Sequence, residues 1–147
     1  MSSSSSEISV NHPDRVRILR DDEDCPNLPI VKFSGKAWAV VWPGVEAELR
    51  SIHHISLGSL GLTVELNHPM EAVYYLMEGA AAAVDLDSDS KHELVTGSMI
   101  HIDPDTSYLF EAGSDGAEII GGPCPADHRM YAHLEPKWQV SETTVRK

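Results

Sequence analysis

The sequence predicts an all-β fold, a small barrel or sandwich, on three observations. Short apolar runs recur at a spacing of about ten residues, the pattern of such folds. Gly, Pro and Asp cut these runs, with no sustained helical period and no internal repeat. The one segment that suits a helix is Ala126 to Leu134, long enough for about two turns.

Taken in order, residues 1–29 read as a flexible N-terminal arm. Ser2 to Ser6 is a low-complexity run of the kind that stays disordered. Residues 15–20 suit one short strand, because Val16, Ile18 and Leu19 interrupt the arginines. The acidic residues 21–24, followed by Cys25-Pro26, stop any regular element. Residues 30–126 form the barrel. Its first strand is 37–42, ending at the Pro43-Gly44 turn. A strand at 51–57 is followed by a turn around 58–61. Further strands are expected at 62–68, 72–77, 80–86, 98–102, 108–111 and 117–120. The intervening breaks fall at Pro69, Glu78-Gly79, 87–90, Gly97, Asp103-Pro104, 113–116 and 121–123. Residues 127–147 make a short C-terminal tail.

The chain has 147 residues, of which 41% are hydrophobic and 23% charged, enough for one core without staples or structural metal. Eleven basic residues oppose 23 acidic ones, a formal net charge of −12. Such a surface repels phosphate backbones and anionic lipids, so neither nucleic acid nor membrane is an expected partner. No apolar run approaches the ~18 residues of a membrane span, and residues 1–10 lack the order of a secretion signal. The two cysteines, Cys25 and Cys124, read as ordinary thiols. A cytoplasmic protein is expected.

Two blocks of sequence then carry a resemblance. Leu66-Asn67-His68-Pro69-Met70-Glu71-Ala72-Val73-Tyr74-Tyr75-Leu76-Met77-Glu78-Gly79 resembles the first motif of the cupin family, a His-x-His pair, a Glu and a strand ending in Glu-Gly. Gly97-Ser98-Met99-Ile100-His101-Ile102-Asp103-Pro104-Asp105-Thr106-Ser107-Tyr108 is similar to the second, a Gly, an apolar strand, a Pro turn and a terminal His. The resemblance implies a single cupin jelly-roll barrel, and a homodimer. Within that family, Asn67-His68 and Glu71-Ala72-Val73-Tyr74 are similar to ectoine synthase, a metal-dependent cupin that closes a ring by losing water.

The family's four metal positions fall at Leu66, His68, Ala72 and Tyr108, so only His68 is a ligand of the usual type. Alternation along a strand places Leu62, Val64 and Leu66 on the inward side with His68. Ala72 and Tyr74 face inward by the same rule, as do Ile100 with Ile102, and Tyr108 with Phe110. Glu65, Glu71 and His101 then face outward. A β-bulge in the strand from Ala72 to Met77 would turn Glu71 inward. In that case His68, Glu71 and Tyr108 form a partial site for one divalent iron, zinc, manganese or nickel ion. Without the bulge the lumen is apolar and needs no metal.

Either His53 or His54 must face inward on a regular strand, and His54 is taken as a pocket residue. Trp38 and Trp42 share strand parity and would form one aromatic face. Arg50 is a candidate anchor for a substrate carboxylate. His92, His128 and His133 fall in loops or the tail. The sequence thus suggests a small cupin enzyme doing acid–base chemistry, such as dehydrating cyclisation, isomerisation or elimination, on a small organic molecule. His68 would be the acid or base, and Tyr108 and Tyr74 would donate hydrogen bonds. Leu66, Ala72, Ile100, Ile102, Phe110 and His54 would line the pocket. The alternatives are a non-catalytic barrel that binds a small ligand, and a metal-dependent dioxygenase.

Overall fold

The structure, a computed structural model, describes residues 15–134. Six strands build it: β1 (Val31–Val41), β2 (Ile52–Thr63), β3 (Ala72–Asp85), β4 (Ser90–Val95), β5 (Met99–Ile102) and β6 (Tyr108–Pro123). The order is β1-β2-β6-β3-β4, with β5 also on β3, and every pairing is antiparallel.

The long strands β2, β3 and β6 each pass through a corner and serve two layers. In one layer, residues 53–57 of β2 pair with 117–121 of β6, whose last residues pair with the start of β3, and β5 follows. In the other, residues 108–112 of β6 pair with 81–85 of β3, and β4 follows. Strands that change layer through bulges are a known way to close two sheets around one core. The register of β3 shifts on both sides of Glu78-Gly79, and that of β2 shifts between Leu57 and Leu62.

These corners correct several expected strand ends. The stretches 58–61, 78–79 and 113–116 are bends within continuous strands, not turns between short ones. Gly79 shows why the local chemistry looks the same. Its φ is +92°, and a Cβ there would stand 2.2 Å from the Gly116 carbonyl oxygen. Close backbone approach and positive φ both demand glycine, whether or not the chain reverses.

The strand β4 was not expected, because its sequence Ser-Lys-His-Glu-Leu-Val has one inward apolar residue, Leu94, buried to 7% exposure. Edge strands carry such charges to discourage further pairing. His92 therefore lies in a strand, not a loop. Residues 15–20 form no strand, and Val16 and Ile18 are exposed. Asp21–Asp24 makes one helical turn, with Asp24 N–H donating to the Arg20 carbonyl at 2.7 Å. Residues 26–30 pack onto the barrel: Leu28 and Ile30 are buried, and Asn27 bridges to Trp38. The expected helix at 126–134 is a short 3-10 turn, His128–Tyr131, capped by the Asp127 side chain. The serine run and residues 135–147 lie outside the described residues.

Alternation holds through most of the core. Ile55, Leu57, Ala72, Leu76, Phe110 and Ile119 all point inward and are buried. Tyr74 and Phe110 pack edge-to-face with ring centroids 4.9 Å apart, a geometry worth about 0.5–1.5 kcal/mol beyond burial. No helix of the described residues is long and apolar enough to cross a membrane. Neither Cys25 nor Cys124 forms a disulfide among the described residues.

Candidate functional site

The site starts at Leu66, which exchanges backbone hydrogen bonds with Tyr108 at 2.8 and 2.9 Å. This bridge fixes the chain after β2, and His68, two residues on, points to the same side and is buried. The inward row before it differs from strict alternation. Thr63 is fully buried while Leu62 and Val64 are half-buried, because β2 ends at Thr63 and the chain bends before Leu66. Thr63 supplies its hydroxyl as acceptor for the Phe110 N–H at 3.0 Å.

His68 stands in a continuous hydrogen-bonded chain. Its Nδ1 lies 2.9 Å from Asp127 Oδ2, and its Nε2 lies 2.8 Å from the Tyr108 hydroxyl. The Tyr108 and Tyr74 hydroxyls are 2.6 Å apart. Arg129 grips Asp127 through Nε at 2.9 Å and Nη2 at 2.7 Å, and also reaches the Asn67 carbonyl at 3.0 Å. The barrel supplies the imidazole and both phenols. The segment after β6 supplies the carboxylate.

Protonation states follow from this geometry. Burial alone would raise the Asp127 pKa, yet hydrogen bonds from Arg129 and His68 bring it down to about 2. The ionised carboxylate only accepts, so His68 Nδ1 carries the proton. Burial holds His68 below its ordinary pKa, outweighing the opposing pull of Asp127. Neutral His68 thus presents a lone pair at Nε2, and Tyr108 donates into it. Tyr74 in turn donates to the Tyr108 oxygen. Burial, and then the neighbouring Tyr74, push the Tyr108 phenol far above its ordinary value, so it is protonated at rest.

A second pair sits nearby. His53 is the inward histidine, with no exposure, and its Nε2 is 2.7 Å from the Tyr131 hydroxyl. Its Nδ1 has no hydrogen-bond partner among the described residues. Burial, aided by His68, takes its pKa down to about 3. His54 points outward, which removes it from the pocket, because Ile55 and Leu57 set the inward parity with His53. It bonds Asp21 and, at 2.7 Å, Glu118, beneath the Trp38 ring. The two tryptophans do not share a face. Trp42 follows the end of β1 and packs on Tyr131 at 4.9 Å.

Glu71 also faces outward, with half its side chain exposed and Oε1 2.7 Å from His101 Nε2. The register of β3 does shift at Met77, between Leu76 and Glu78, inside the stretch where a bulge was expected, yet Ala72, Tyr74 and Leu76 are the buried residues before it and Glu71 stays outward. The set His68, Glu71 and Tyr108 is therefore not brought together. Leu66 and Ala72 present only carbon to the lumen, and both nitrogens of His68 are engaged. No cluster of three His, Cys, Asp or Glu suited to a metal occurs among the described residues. This donor set does not fit the cupin metal.

A cavity of about 360 Å³ opens between β4 and β5, with Tyr108, Ile100, Ile102, Ala83 and Leu94 among its lining residues. Phe110, Leu66 and Ala72 are core neighbours of the site and do not line this cavity. Arg50 borders a separate groove of about 190 Å³, beside Tyr75 and Met99. Asp127 was the residue missed, and of the pair left open by the sequence the inward histidine is His53, not His54. A lone Asp after Pro123-Cys124-Pro125 carries no signal of its own, since only the folded barrel end brings it to His68.

No family model and no curated protein matches the chain. Solved structures do. The polyketide cyclase RemF from Streptomyces resistomycificus aligns at TM-score 0.61 and 17% identity, over 74% of this chain and 80% of that one. An RmlC-like cupin from Shewanella frigidimarina aligns at 0.60 and 14%, over 78% and 96%. Oxalate decarboxylase from Bacillus subtilis, a protein with Mn(II) centres, aligns at 0.60 and 15%, over 84% of this chain and 38% of that one. The likeness is one of architecture, and by it the chain has the cupin fold that its two sequence blocks predict.

Proposed function

We propose that the protein is a small cupin-fold enzyme that moves protons on a compact organic molecule, giving isomerisation, elimination or cyclisation with loss of water. The observation that carries this reading is the chain Asp127–His68–Tyr108, which ends on a residue lining the cavity. Similarity of fold to a polyketide cyclase and a decarboxylase fits small-molecule chemistry in such a barrel.

In this reading Tyr108, not His68, meets the substrate. A substrate C–H or O–H proton passes to the Tyr108 oxygen while the Tyr108 proton passes to His68 Nε2. The resulting imidazolium is stabilised by ionised Asp127, as in other carboxylate–histidine pairs. Tyr74 donates to the Tyr108 oxygen as charge builds there. The reverse transfer returns the proton to a different carbon, or to a departing hydroxyl that leaves as water. No step needs a metal.

The test is exchange of carbonyl-adjacent protons with D2O, followed by NMR across a panel of uncharged cyclic ketones. The wild type is expected to speed exchange for a subset, and His68→Ala to reduce it to the uncatalysed rate with the fold intact. Equal exchange by His68→Ala contradicts the assignment. The mutual pairing of all relay groups favours a second reading, a binding barrel without turnover. It is supported if ligands bind and no exchange is accelerated.

A further inference from the structure

We propose that the cavity beside Tyr108 takes an uncharged, apolar-bodied carbonyl compound of roughly bicyclic size and turns away carboxylates and phosphates. The inference rests on the relay reading for the carbonyl and on the cavity itself for the charge and size. Leu94, Ile100 and Ile102 give the cavity its apolar wall, and His92, His101 and Thr106 stand among its polar lining. Two carboxylates, Asp85 and Asp103, stand among the lining residues, and no lysine or arginine does.

Of the two histidines there, His101 is already matched to acids and His92 to a hydroxyl. His101 Nε2 lies 2.7 Å from Glu71, and its Nδ1 is 3.6 Å from Asp103. His92 Nε2 pairs with the Ser90 hydroxyl at 3.4 Å, and the Asp85 carboxylate accepts the Asp87 and Ser88 amides. An entering anion would lose water and gain no unpaired cation, an expensive exchange. The volume of about 360 Å³ equals roughly a dozen water volumes at ~30 Å³ each. A carbon gives up a proton to a phenol-linked base only when an adjacent electron-withdrawing group, such as a carbonyl, can take the charge. Tyr108 therefore selects for that group.

The experiment compares uncharged 1-tetralone with anionic 1-naphthoate, two bicyclic probes of similar size, by methyl NMR titration of the full chain. Tetralone is expected to shift the Ile100 and Ile102 methyls and to bind at least tenfold tighter than naphthoate. Asp103→Lys, at an exposed position, should narrow that ratio by strengthening naphthoate alone. Naphthoate binding as tightly as tetralone to the wild type, or tetralone leaving both isoleucines unmoved, overturns the proposal. Binding is read without turnover. Tetralone binding with no His68-dependent proton exchange would therefore defeat the relay and leave the ligand class supported.

Discussion

Asp127 and His68 lie 59 residues apart in the chain, and their side chains meet at 2.9 Å in a pocket that leaves each about 5% exposed or less. The contact joins the barrel to the segment that closes its end. Tyr131, four residues beyond Asp127, packs on both Trp42 and His53. Closing the barrel and completing the relay are therefore one structural event.

Tyr108→Phe removes the hydroxyl bonded to His68 and Tyr74 and keeps the ring. It leaves His68 Nε2 and the Tyr74 hydroxyl without their partner, a cost of about 1–3 kcal/mol. Proton exchange should fall by about 10²–10⁴-fold, the usual worth of a positioned acid or base. Urea denaturation alongside the exchange assay separates the two effects. A variant with wild-type exchange would remove Tyr108 from the mechanism.

Asp127→Asn keeps the shape and removes the charge. The amide can offer its NH2 to His68 Nδ1, which favours the other tautomer and takes away the lone pair that Tyr108 needs. Turnover is expected to drop by about 10²-fold or more with little change in KM, since Asp127 does not touch the ligand. A change in KM alone would show that Asp127 shapes the pocket and does not hold the relay.

Acid should destabilise the fold in two windows. His53 takes a proton near 6.5 when unfolded and only at about 3 when folded. The unfolded state binds more protons in that interval, so this contribution is complete above 6.5 and declines as pH falls, by about 1.4 kcal/mol per pH unit. His68 acts in the same direction. Asp127, ordinarily at 3.8 and here at about 2, adds a stabilisation of about 2 kcal/mol that is lost on crossing that lower range. Urea midpoints between pH 7 and 4 should fall steeply for the wild type and less steeply for His53→Leu. Equal slopes would contradict a neutral buried His53.

Short apolar runs cut by Gly, Pro and Asp predict the all-β fold, and the resemblance of two blocks to the cupin motifs implies the jelly-roll barrel. His68 and Tyr108 follow from the positions that the cupin resemblance implies, and Tyr74 from parity with Ala72, which buried neighbours enforce wherever a strand is regular. Parity failed where regularity did. The chain bends after Thr63, so Leu62 and Val64 are not in the inward row, and β1 ends before Trp42. Corners were mistaken for turns, since Gly79 and Gly116 serve either purpose locally and only the partner strands decide. His53 and His54 could not be told apart until Ile55 and Leu57 were seen to be buried together. Asp127 was beyond the reach of any local pattern, because its partner His68 lies 59 residues earlier in the chain.

The most direct measurement is the side-chain ¹⁵N spectrum of His68 at neutral pH, with and without added Zn²⁺ or Mn²⁺. The account predicts a neutral ring with the proton on Nδ1, Nε2 accepting from Tyr108, and no change on adding metal. It further predicts loss of that tautomer in Asp127→Asn. An Nε2-protonated ring in the wild type, or an Nε2 signal that moves onto a bound ion, would contradict it.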